Sequence, residues 1–428
     1  MPRAIWLPLL VLAACGDNAP AAVPDDAAVD AIDAPVAPPD PCPGAAPACP
    51  TLPAGYARGD GMRVIDRCAF PMRDREQWVD RGAIVDAFPA AVPRVSMADI
   101  TGDLNRAATT VGAAQLPGTP PGVTSAFGWQ AGDQAVTYWI PQGITGSFDR
   151  GSEPTVAGRK LVLISWYYEL ANDPGAVVEK GVRIAIADVT NAADVRYRFA
   201  LLVEPVLRAG RADLDPVLSH AGGVAWVGDL LYVAQTGSGF RVFDLSRILL
   251  LESTDDRLGY DAATGTYAAH GYRYAIPQIG AYEEIGACDA VFSFVAVDRS
   301  TPTPTLISGE YDSASIGGRL YRWPLDPGTG RLLRTDADRV IPDGAWFAGD
   351  SHVQGALARD DTFWLSSSYP PASAGALYRT RVDQPRQALG WIDAPEDVAW
   401  DPQAAALWSL SEATNARYVF SVAASSID

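Results

Sequence analysis

The chain has 428 residues, 48% of them hydrophobic and 20% charged, with a formal net charge of -18. No Lys/Arg cluster relieves that acidity, which argues against a nucleic-acid partner, because phosphate binding needs a basic patch. One short apolar run opens the chain and no later stretch is long enough to cross a bilayer.

Residues 1–14, MPRAIWLPLLVLAA, carry Arg3 and an apolar run from Ile5 to Ala13. That is the pattern of a secretory signal. Leu12-Ala13-Ala14-Cys15 resembles the lipobox of bacterial lipoproteins, which implies lipidation at Cys15, a membrane partner through that anchor, and an extracytoplasmic location in the periplasm or on the cell surface. Residues 15–55 are rich in Ala, Pro and Asp and predict a disordered tether, since they hold too few large apolar groups to offset chain entropy. Residues 56–133 are read as a segment packing on the main domain at 134–428. Cys42, Cys49, Cys68 and Cys288 form an even set for an oxidising compartment. Cys42 with Cys49 as a local clip, and Cys68 with Cys288, is the preferred pairing.

A repeat follows. Trp139–Val189, Ser219–Leu245, Asp289–Asp326, Ser351–Val382 and Asp393–Val422 each hold small residues, an apolar run and a further apolar strand. The second segments read LVLIS, LYVAQ, LISGE, FWLSS and LWSLS; the third read RIAIADV, RVFDL, RLYRWPLD, ALYRTRV and RYVFSV. Fourth strands are expected at Tyr197, Tyr272, Asp338 and Gln387, and the last copy lacks one. TYWIPQG from Thr137 matches YAIPQIG at Tyr274, so the expectation is that this strand completes the last sheet and removes its free edge. The predicted fold is all-β: a five-bladed β-propeller of four-stranded antiparallel blades closed by an N-terminal strand, with six blades as the alternative and a β-sandwich the other rival. Tyr232, Trp364 and Trp408 are expected between blades. Gly222, Gly223, Ala225, Gly355 and Ala356 suit the crowded axis.

The strings HAGGVAWVGDLLYVAQTGSGFRVFDL, FSFVAVDRS, GRLYRWPLD, VQGA, APEDVAW and LWSLSEATNARYVFSV resemble a group of secreted bacterial propeller proteins, mostly actinobacterial, over about 135–422. LYVAQTGSGFRVFDL is more distantly similar to the repeat of NHL and gluconolactonase-like propellers. Neither likeness implies catalytic residues.

First strands begin, and second strands end, at one rim of such a ring. This geometry predicts a shared channel mouth for Gln142, His220, His352, Gln354, Glu396 and Asp397 from strand starts, and for Trp166, Tyr167, Gln235, Glu310, Tyr311, Ser367 and Glu412 from strand ends. Long loops (168–181, 205–218, 280–289 and 342–351) belong to the same rim and suit a binding surface. His270 is expected on the opposite rim as an exposed bystander. The mouth residues are expected to bind a small molecule, glycan or protein segment. Two histidines with carboxylates are also able to hold a divalent metal, and His220, His352 and Glu396 are the candidates for a hydrolase or lyase. The bland reading is that they satisfy buried strand ends and channel waters. Arg58-Gly59-Asp60 and Asp326-Pro327-Gly328-Thr329-Gly330 are read as a chance triplet and a hairpin turn, and no nucleophile elbow, phosphate loop or HExxH is present.

Overall fold

A computed structural model describes residues 37–369 and 374–428. The signal, lipobox and Cys15 expectations fall on residues 1–36, outside the described residues. The strands that build the sheets are β1 (Val123–Gly128), β2 (Trp139–Gly146), β3 (Leu161–Tyr168), β4 (Val182–Asp188), β5 (Arg196–Arg208), β6 (Val224–Val227), β7 (Leu230–Gln235), β8 (Gly239–Asp244) and β9 (Tyr274–Glu284). They continue with β10 (Phe294–Asp298), β11 (Thr305–Gly309), β12 (Arg319–Pro324), β13 (Gly344–Phe347), β14 (Val353–Arg359), β15 (Thr362–Ser367), β16 (Ala374–Arg381), β17 (Gln384–Asp393), β18 (Pro395–Asp401), β19 (Ala406–Ser411) and β20 (Tyr418–Ala423).

Antiparallel pairing joins β2 to β5 in sequence order, then β6-β7-β8-β9, β10 to β13, and β14 to β17. The last group is β18-β19-β20-β1, so a strand from before the repeat completes it. First strands β2, β6, β10, β14 and β18 neighbour one another in that order, and β18 returns to β2. This is the radial plan of a β-propeller. Both faces of each group are covered, so runs such as Leu161–Trp166 are buried throughout rather than alternately. Tyr232, Trp364 and Trp408 are buried in separate core clusters between groups.

Crowding at the axis explains the small residues. A Cβ on Gly223 would lie 2.1 Å from Val295 N, and one on Gly355 would lie 2.6 Å from Asp397 Cα. Backbone meets backbone there, and only glycine permits the approach.

Several expectations are corrected. TYWIPQG does not close the last sheet: its residues from Trp139 on form β2, an inner strand paired with β3. VTSAFG of β1 closes the ring instead, with Phe127 opposite Val419 and Ala126 opposite Phe420. The likeness between TYWIPQG and YAIPQIG reflects a shared apolar-proline run, not an equivalent place. In the third group the fourth strand is Gly344–Phe347, not DRVIPD at Asp338. Val340 is diverted to Met72, with which it exchanges two backbone hydrogen bonds of 2.8 Å.

The preferred disulfide pairing is also overturned. The bonds are Cys42–Cys68 and Cys49–Cys288, with Cα separations of 5.5 and 5.4 Å. Residues 37–55 carry no strand or helix but are not a free tether, because Arg339 donates to Asp40 at 2.7 Å and to the Cys42 carbonyl at 2.6 Å. A segment held at Asp40, Cys42 and Cys49 lies stretched along the surface and so cannot fold back to join its own two cysteines.

Residues 56–128 form a belt. Arg63–Val64 adds to the outer edge at β13, Met72–Asp74 to β9, Arg94–Val95 to Ile248–Leu250, Arg106–Ala107 to β5, and Thr109–Thr110 to β1. Edge strands otherwise left with unpaired N–H and C=O groups are thereby covered. Between these contacts, helix α1 (Trp78–Asp86) packs on β9, and the Trp78 indole donates to Asp74 at 2.9 Å. β5 and β9 pair in parallel at residues 201–203 and 275–277, which fuses the first two groups into one sheet.

Candidate functional site

Side chains at the mouth of the channel meet across neighbouring sheets by a repeated rule. A residue at or just past the end of a second strand meets one at the start of the next sheet's first strand. Tyr167 from β3 lies against His220, which precedes β6, with ring centroids 4.3 Å apart. Tyr311, after β11, meets His352, before β14, edge-on at 5.7 Å. Glu412, after β19, accepts a 2.9 Å hydrogen bond from Gln142 Nε2 on β2. Between first strands, Gln354 Nε2 on β14 donates to Glu396 Oε1 on β18 at 3.3 Å.

The backbone holds these positions in an unusual way. Ala221, Asp289, His352 and Ala394, each at the entry to a first strand, have φ of 53°, 47°, 57° and 46°. Non-glycine residues rarely adopt this left-handed conformation, and their surroundings must hold it. At His352 the backbone N–H donates to the Asp312 carbonyl at 2.8 Å, and the ring Nδ1 shares a 2.8 Å hydrogen bond with Ser351 Oγ.

Burial raises the carboxyls at the mouth. Glu396 is 2% exposed. Burial pushes its carboxyl well above the usual range, and the charges of Glu412 and Asp397 push it further. Burial also raises Glu412, though Gln142 and Arg417 oppose the shift. Burial lifts the Tyr167 hydroxyl to about 12, with Glu412, Glu169 and Glu396 adding to the effect. Desolvation beside Tyr167 lowers the His220 imidazole, which favours its neutral form, although the residue is exposed.

Asp397 lies deeper, wholly buried in the channel wall, and accepts from Ile144 N at 3.2 Å. Its carboxyl is raised well above the normal range by burial, which outweighs the backbone donors. At the far end of the channel Asp149 accepts from Thr145 Oγ1 at 2.8 Å and Gly146 N at 3.3 Å. Burial raises that carboxyl to about 7.

Other candidates sit elsewhere. Trp166 is buried between sheets against Trp129 and Phe199, at 5.1 and 5.6 Å. Glu310 faces its own sheet, taking bonds from Val291 N, Arg319 and the Tyr321 hydroxyl. Gln235 accepts from Arg241 Nε at 2.8 Å in a polar cleft shared with Glu204 and Gln278. Strand position fixed the level of these three along the axis, but strand twist and the pleat turned their side chains away from it. Ser367 caps backbone by donating to the Ser351 carbonyl at 3.0 Å. His270 is not an exposed bystander: its side chain is 3% exposed, beside Asp256 at 3.1 Å and near the 168–181 loop.

Two mouth residues escaped the sequence reading. Arg417, 1% exposed, donates to the carbonyls of Glu412 and Asp133 at 2.9 and 3.0 Å and so fixes the Glu412 turn. Tyr369 stands 5.5 Å from the His352 ring and carries the Arg58 guanidinium 4.1 Å above its face. Its place two residues past the end of β15 was the available signal. Among the described residues no group of three or more His, Cys, Asp or Glu is arranged to hold a metal ion, and no helix is long and apolar enough to cross a membrane.

An all-β propeller with paired polar side chains at its mouth is the class these features define. No family model and no curated protein matches the chain. Among solved structures it is similar to the β-propeller domain of Cps50 (Swd1) from Myceliophteria thermophila, at 12% identity and TM-score 0.30, over 71% of this chain and 99% of that one. It is also similar to hydrazine synthase of Kuenenia stuttgartiensis (11%, 0.27, covering 66% and 77%). A third is the PQQ domain of pyranose dehydrogenase from Coprinopsis cinerea (12%, 0.27, covering 67% and 94%).

Proposed function

We propose that this chain is a five-bladed propeller lipoprotein, held outside the cytoplasm through Cys15, whose channel mouth binds an uncharged polar small molecule, with a neutral saccharide the best chemical match. Each four-strand group is then one blade. Two disulfides suit an oxidising compartment.

The observation that carries the binding reading is the partly buried Glu396–Gln354 and Glu412–Gln142 arrangement. A Glu396 carboxyl raised well above its usual range beside the Gln354 and Gln142 carboxamides offers both donors and acceptors, the complement of sugar hydroxyls, while Glu412 adds a further acceptor. Tyr167 and Tyr311 add ring faces for C–H surfaces. Titration calorimetry with neutral gluco- and N-acetylglucosamine oligosaccharides tests this. Saturable binding that disappears in Glu396→Ala is the expected result, and an absence of heat for the whole panel overturns it. Loss of membrane association in Cys15→Ala tests the anchor.

A hydrolase or lyase is the second reading, favoured by the neutral, solvent-reaching imidazole of His220 beside Tyr167. Turnover of ester, lactone or glycoside substrates that is lost in His220→Ala would establish it.

A further inference from the structure

The end of the molecule opposite the mouth carries a second feature. A cleft of about 650 Å³ opens beside the Asp360–Asp361 turn that joins β14 to β15 and the Val382–Asp383 turn that joins β16 to β17. Four guanidinium groups line it, from Arg322, Arg359, Arg379 and Arg381. For a chain of net charge -18 such a concentration of cations is conspicuous.

Two of the four are committed to acids. Arg322 Nε donates to Asp343 at 2.6 Å and Arg359 Nη1 to Asp428 at 3.1 Å. The other two differ. Arg381 donates through Nε to the neutral Thr362 hydroxyl at 2.9 Å and makes no ion pair among the described residues. Arg379, cross-strand partner of Trp364, makes neither an ion pair nor a hydrogen bond among the described residues, and its Nε is buried with no partner. Only Nε is fully buried, so the rest of the guanidinium lies open to the cleft and to an arriving anion.

We infer that this cleft is an oxyanion site, in which Arg379 and Arg381 grip one carboxylate or phosphate group of a small ligand. Two forks two residues apart on β16, both lining the cleft, suit the planar, bidentate geometry that arginine gives such groups. The exposed carboxylates of Asp360 and Asp361 also border the cleft. They repel an extended polyanion and leave room for a single anionic group, so the ligand class is a small monoanion or monoester.

Calorimetric titration of the full chain with inorganic phosphate and, separately, with galacturonate tests the assignment and tells the two anion types apart. The expected result is saturable binding of at least one of them, weakened tenfold or more in Arg379→Gln and in Arg381→Gln. Binding is to stay unchanged in Gln142→Ala, which lies at the opposite end of the channel. Arg381 is exposed, so its variant reports on the site even where Arg379→Gln compromises folding. Native protein that binds neither anion, or an Arg381→Gln variant that binds as tightly as native, overturns the inference.

Discussion

The Gln142 carboxamide donates to the Glu412 carboxylate across 2.9 Å, and in doing so ties the inner strand of the first sheet to the end of the second strand of the last. The bond therefore spans the seam where the ring closes. Gln142→Ala leaves the partly buried Glu412 without this donor, so a loss of about 1 kcal/mol in urea unfolding is expected. Because the same contact shapes the mouth, oligosaccharide affinity is expected to fall as well.

Asp149 makes stability depend on pH. Its folded carboxyl titrates at about 7 against an ordinary value of 3.8, because burial disfavours its charge. The native state therefore holds a proton that the unfolded chain has released, and stability falls as pH rises from about 4 to 7, by roughly 4 kcal/mol for this group alone. Glu396 and Asp397, also raised by burial, act in the same direction. Thermal unfolding across pH 4–8 is expected to show a falling Tm, and Asp149→Asn is expected to flatten the slope.

The architecture was legible because a blade repeats: apolar runs, glycines at the axis and aromatic wedges recur at equivalent places and add up to a signal. Its closing strand was not. VTSAFG mixes hydroxyl and small residues and has no conspicuous apolar run, while TYWIPQG looked more like a strand and proved to be an inner one. The mouth was half legible. Position in the repeat put Tyr167, His220, Tyr311 and His352 at one rim, yet the same rule misplaced Trp166, Gln235 and Glu310, whose orientation depends on twist and on the partners Arg417, Arg241 and Arg319. No such partner is visible to a strand count.

Phe127 and Ala126 on β1 meet Val419 and Phe420 on β20. Ala126 turns its carbonyl outward to Val111 N, so the alternate positions 125 and 127 face β20; proline at 125, opposite Ser421, cannot donate to that ladder and is expected to destabilise by about 3 kcal/mol or more. Exposing the β20 edge should also promote association, measurable as concentration-dependent light scattering.

The Cys49–Cys288 bond closes a loop with a sequence separation of 239, against 26 for Cys42–Cys68. Chain entropy makes the longer crosslink the stronger constraint on the unfolded state, about 5 kcal/mol against about 3 kcal/mol. Cys288→Ala is expected to lower Tm more than Cys68→Ala, and peptide mapping without reduction checks the pairing directly.

The belt of residues 56–128 has a kinetic corollary. Arg63 pairs with Phe347, Asp74 with Tyr282 and Phe127 with Val419, so much of the earliest part of the described chain finds its partners among residues synthesised much later. Contacts this remote in sequence make folding slow. The earlier stretches pair as the first three groups appear, but β1 must wait until the last sheet has emerged, and the ring closes only in that late step. A chain lacking only its final sheet would leave the newborn protein open and prone to aggregate, long before any binding surface exists.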